Sequence, residues 1–109
     1  MTLERFLEIV NNKEYKELEY YEAATMIDDP YIKIYTRNGA FIKFYYGIYS
    51  KGLFKPFAKY CMIVFFVPEK DRAVASYDID QDDDRFKMYK ELFFELKTQI
   101  DNAQAEKYF

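Results

Sequence analysis

The stretch from Tyr31 to Tyr46 reads as a β-hairpin, and that one element constrains the rest of the chain. Asn38-Gly39 stands between two runs of alternating residue character, the usual signature of a tight turn between antiparallel strands. The loop length follows from how side chains sort. A two-residue turn would pair Tyr35 with Ile42 and Lys33 with Phe44, mixing core-like and solvent-like residues on each face. A three-residue loop over Arg37, Asn38 and Gly39 pairs Thr36 with Ala40, with Gly39 in the left-handed conformation. One face then carries Ile32, Ile34, Thr36, Ala40, Ile42, Phe44 and Tyr46, and the other carries Tyr31, Lys33, Tyr35, Phe41, Lys43 and Tyr45. A one-residue slip would exchange the faces, so a buried face selects the second register.

The flanking segments complete an α+β domain. Residues 3 to 10 have helical spacing, with Thr2 as cap, Glu4 in the first turn, and Leu3, Phe6, Leu7 and Val10 on one stripe. Residues 15 to 27 suit either helix or strand. Strand is the better reading, because Asp28-Asp29-Pro30 then turns into the hairpin. Residues 50 to 58 read as a loop. The run Tyr60 to Val67 is apolar on both faces, as expected of a central strand covered on two sides. Pro68 to Arg72 form a turn, and residues 73 to 79 pair back as a shorter strand. Asp82, Asp83 and Asp84 open a long helix, along which Phe86, Tyr89, Phe93, Leu96, Ile100 and Ala103 step by three and four. The expected fold is therefore one domain over residues 1–109: an antiparallel meander of four to five strands with a helix at each end. With strand 60–67 apolar on both sides, each helix is expected to cover one face of the sheet.

Residue usage narrows the chemistry. The chain has no histidine and a single cysteine, Cys61, so Ser-His-Asp and Cys-His nucleophile designs and structural zinc sites are ruled out. Cys61 lies in an apolar run and reads as a small buried hydrophobe. The three glycines lack the spacing of a phosphate loop or a dinucleotide fingerprint. No apolar run approaches the length of a membrane helix, and Met1 to Arg5 do not resemble a secretion signal. The reading is a non-catalytic protein without cofactor, cytoplasmic (host cytoplasm if viral), acting away from the membrane.

Charge is segregated along the chain. The net charge is −3. Residues 1–29 hold three basic and eight acidic side chains, residues 30–60 six basic and none acidic, and residues 61–109 seven basic and eleven acidic. The basic middle third also holds ten of the 23 aromatic residues. Within it, Tyr31, Lys33, Tyr35, Phe41, Lys43, Tyr45 and the following Lys51 form a candidate binding set. Lys33 faces Lys43 there, an unfavourable pairing, unless an acid from a helix answers it.

Asp78, Asp80, Asp82, Asp83 and Asp84 form a second candidate set, an acidic contact for a basic partner. Calcium ligation by the EF-hand pattern fails, since Asp83 occupies its glycine position and Tyr89 its bidentate glutamate position. A helix N-terminus preceded by a polar turn explains the same acids without any ligand. These features favour a binding protein that occupies a macromolecular partner stoichiometrically, in the manner of small phage- or mobile-element-encoded anti-defence or immunity inhibitors. That expectation names a protein partner, with the chain as monomer or homodimer. The alternative is single-stranded nucleic-acid or nucleotide binding through the aromatic and basic hairpin face, against which the acidic balance counts.

Overall fold

The computed structural model describes residues 1–23, 29–50, 57–68 and 72–108. Its elements are α1 (Leu3–Asn11), β1 (Tyr15–Tyr21), β2 (Tyr31–Thr36), β3 (Phe41–Ser50), β4 (Phe57–Phe66), β5 (Ala73–Asp80) and α2 (Phe86–Tyr108). The strands form one antiparallel sheet in the order β1-β2-β3-β4-β5, so the α+β meander with a helix at each end is the fold. Of the ambiguous region 15–27, Tyr15–Tyr21 is a strand and residues 22–23 are not, while 24–27 lie outside the described residues. The expected loop at 50–58 loses its ends to the sheet, because β3 runs to Ser50 and β4 begins at Phe57, and residues 51–56 lie outside the described residues.

Local chemistry explains the element ends. The Thr2 hydroxyl accepts a hydrogen bond from the Arg5 N–H at 3.1 Å, capping α1. Asn12 closes the helix, and Lys13 takes a left-handed φ of 53°. That turn lets Glu14 N–H bond to the Ile9 carbonyl at 2.8 Å and sends the chain directly into β1. At the hairpin, Thr36 N–H donates to the Ala40 carbonyl at 2.9 Å, and Gly39 has φ 89°. The loop is the three-residue type, and the register pairs Tyr31 with Tyr45, Lys33 with Lys43 and Tyr35 with Phe41.

Both helices pack on the same side of the sheet. The core joins Phe6, Ile9 and Val10 of α1 and Tyr89, Phe93 and Leu96 of α2 to Ile32, Ile34, Ile42, Phe44, Cys61, Ile63, Phe65 and Ile79 of the strands. Phe44 sits at its centre, edge-on to Phe6 at 5.1 Å and to Phe93 at 5.4 Å. Three expectations are corrected here. Ile9 rather than Leu7 completes the buried stripe of α1, Leu7 being half-buried. Ala103 is exposed, Ile100 being the last buried residue of α2. The two helices do not divide the faces between them: residues of both join one core, and α2 lies across β1 to β4 on that side.

Candidate functional site

With both helices on one side, the other face of the sheet carries no helix among the described residues. Alternation places Glu17, Glu19 and Tyr21 of β1 there, with Tyr31, Lys33 and Tyr35 of β2, Phe41, Lys43 and Tyr45 of β3, Met62, Val64 and Phe66 of β4, and Ser76, Asp78 and Asp80 of β5. Their registers arrange them in rows across the strands. One row runs Glu17, Tyr35, Phe41, Phe66. The next runs Glu19, Lys33, Lys43, Val64, Ser76. The third runs Tyr21, Tyr31, Tyr45, Met62, Asp78. Aromatic rows thus border a central lysine row, and acids occupy both edge strands.

The rings are engaged with one another. Tyr21 stacks on Tyr31 with centroids 4.9 Å apart and planes 11° from parallel, and Phe41 stacks on Phe66 at 4.6 Å and 11°. Those distances match the spacing of adjacent strands, so the rings stand off the sheet with their faces turned to their neighbours. Tyr31 and Tyr45 lie 5.0 Å apart at 40°. The lysine heads rest on rings too: Lys33 Nζ lies 4.8 Å from Tyr35 and 4.4 Å from Phe41, and Lys43 Nζ lies 5.1 Å from Tyr31 and 5.2 Å from Phe66. Each contact is worth about 0.5–1 kcal/mol at an exposed site, enough to offset the like-charge penalty of the facing lysines. In the strand register the acid across from Lys33 is Glu19 of β1, not a residue of either helix. Its carboxylate accepts the Tyr21 hydroxyl, and that bond raises the Tyr21 pKa, with Tyr35 adding to the shift.

The second side of β4 is therefore covered, but by ring edges and lysine stems. Val64 keeps only 8% of its surface exposed, although no helix lies above it. At the far end of this face, Asp29 folds over Gly47, whose buried position leaves no room for a Cβ against that carboxylate. Tyr60 donates its hydroxyl to Asp29, and burial, followed by this bond, raises the Tyr60 pKa.

The structure thus brings Tyr31, Lys33, Tyr35, Phe41, Lys43 and Tyr45 together on one half-buried surface. Lys51 lies outside the described residues. The acidic set is split. Asp78 and Asp80 project from edge strand β5 onto the same face, whereas Asp82, Asp83 and Asp84 belong to the turn before α2. Asp83 is occupied structurally: it accepts the Arg85 N–H at 2.8 Å and the guanidinium at 2.8 and 3.0 Å, which holds its pKa at about 2. Among the described residues, no three acids or cysteines are grouped to hold a metal ion, and no helix is long and apolar enough to cross a membrane.

Sequence reading missed Glu17, Glu19, Tyr21 and Asp29. The signal for the first three was present, because Glu17, Glu19 and Tyr21 alternate with Lys16, Leu18 and Tyr20. Asp29 had no such signal, since its position over Gly47 depends on the path of the chain between β1 and β2. Compared with known proteins, the chain matches no family model, no curated protein and no solved structure.

Proposed function

We propose that this chain is a non-catalytic binding protein that acts by stoichiometric occupation of a protein partner, through the helix-free face of its sheet. This is the mode of small inhibitors of the anti-defence and immunity type. The observation that carries the reading is the composition of that face. Its tyrosines, phenylalanines and two lysines are rigidly pre-packed, and acids rim it on β1, on β5 and at Asp29. Pre-ordered aromatic side chains lose little entropy on docking, and Tyr is enriched among residues that dominate interface energy. Acidic rims favour a partner with a basic border and speed its approach.

The nucleic-acid alternative has one observation in its favour, the absence of a covering helix. Two observations weigh against it. The carboxylates of Glu17, Glu19, Asp29, Asp78 and Asp80 outnumber Lys33 and Lys43 on this face, which opposes phosphate. The ring faces are already turned to one another or to ammonium groups, whereas base stacking needs an open ring face.

Capture from lysates of cells that express the chain, comparing wild type with Lys43→Glu as bait, tests the proposal. A protein retained at equal stoichiometry by the wild type and lost by the folded variant is the expected result. Retention by both baits, or recovery of no stoichiometric protein, counts against it. Labelled single strands at low salt should show no binding, and affinity that falls steeply with added salt would shift the assignment to nucleic acid.

A further inference from the structure

A second surface, which shares only Glu17 and Glu19 with the helix-free face, lies along the outer side of β1. This is an edge strand: it pairs with β2 on one side, and among the described residues no strand pairs with its other side. Alternate backbone N–H and C=O groups of an edge strand point outward, ready to bond another chain. Between β1 and the last turns of α2 runs a groove of about 620 Å³. The inward stripe of α2 explains the groove. Ile100 is the last buried member, and every residue from Asp101 to Tyr108 is exposed. Ala103, Gln104 and Lys107 line this groove together with β1, so they border the place of a sixth strand, about 4.8 Å beyond β1.

We propose that the outer edge of β1 accepts an extended peptide of a protein partner as that sixth strand, with apolar residues alternating with lysine or arginine. On the groove side the added side chains would meet Leu18, Ile100 and Ala103, while Lys16 and Lys107 discourage basic residues. On the opposite side they would lie beside Glu17 and Glu19, which favour lysine or arginine. The same two carboxylates reject a second copy, because antiparallel pairing of β1 centred on Leu18 sets Glu17 across from Glu19 of the other copy at two places. Repulsion of self with attraction of a basic strand is a common basis of specificity. Main-chain bonds would supply affinity and the alternating side chains the selection.

The test titrates the isotope-labelled full chain with a short, end-blocked peptide of alternating valine and lysine. Amide shifts and slowed hydrogen exchange along Lys16 to Tyr20 are expected. Alternate N-methylation, which removes the peptide's donors on one edge, should weaken binding about tenfold or more, and so should replacing its lysines by glutamates. The Glu17→Lys, Glu19→Lys variant should lose affinity comparably, and Lys43→Glu should retain it, so this inference and the open-face reading fail separately. No shift along β1 up to about 1 mM peptide, shifts centred on Tyr31 and Tyr45, or equal binding of the N-methylated peptide would each overturn the proposal.

Discussion

The two faces of the sheet come from the same strands yet solve burial differently. On the helix side Ile32, Ile34, Ile42, Phe44 and Ile63 have essentially no exposed surface, and they are held by α1 and α2. On the other side, one residue along each strand, Tyr31, Lys33, Phe41 and Tyr45 are half-buried with no helix above them. Aliphatic and Phe side chains need a covering layer, because all of their surface is apolar. Tyrosine and lysine can form a layer themselves, apolar body inward and polar tip outward. A sheet face that tolerates water in this way stays available to a partner, which a face of isoleucines would not.

The largest test of that contrast sets Phe44→Ala against Tyr45→Ala, neighbours on opposite faces. Phe44→Ala empties the centre of the core and should cost about 3–5 kcal/mol. Tyr45→Ala forfeits its ring contact with Tyr31 and part of an apolar surface that is only half-buried, and should cost less, about 1–2.5 kcal/mol. Urea denaturation measures both, and equal losses would erase the distinction between the faces. Next comes Gly47→Ala, which drives a methyl into the Asp29 carboxylate and should cost about 1–3 kcal/mol. Adding Asp29→Ala should recover part of that loss, and strict additivity of the two changes would show that Asp29 does not lie over Gly47.

Proton linkage draws on both faces. Burial pushes the Cys61 thiol up to about 12 from 9.0, and burial also raises Tyr46 and Tyr89 on the helix side. Burial, with Tyr31 adding to it, raises Tyr45 on the open side, where Tyr60 is raised too. The unfolded chain loses these protons first, so stability is complete below about pH 9 and falls as pH rises toward 12. On the acid side, the hydrogen bond to Arg85 lowers Asp83 to about 2 from 3.8, and Arg5 lowers Glu14. Their contribution is present above the ordinary carboxylate range and is lost as pH falls from that range toward the lowered values, about 2 for Asp83. Both groups are solvent-exposed ion pairs, so thermal melts across pH should show the alkaline limb to be the steeper one. A steeper acid limb would mean that carboxylates matter more to the fold than the buried phenols do.

The smallest expected effect is that of Lys43→Glu. It replaces facing lysines by an opposite-charge pair, removes two ammonium–ring contacts, and should change stability by only a few tenths of a kcal/mol. A loss of more than about 1 kcal/mol would show that the lysine row holds the fold together. Partner binding should still disappear.

Much of this architecture was legible in the residues. The alternation through Tyr31 to Tyr46, with Gly39 suited to a left-handed turn, settled register and facing pairs, because a slip would place isoleucines in water. The stepping of Tyr89, Phe93, Leu96 and Ile100 marked the inward face of α2. Strand β1 was obscured because Tyr15, Leu18 and Tyr20 suit helix and strand spacing alike, and pairing with β2 decides between them. Tertiary structure alone decided that both helices share one side. Local periodicity tells each element which of its faces is apolar, but not which side of the sheet will receive it. The tertiary structure likewise left the aromatic face without a helix among the described residues, set Glu19 opposite Lys33 and seated Asp29 over Gly47. Each of those contacts joins residues far apart in the chain, and their positions follow from packing the whole molecule at once.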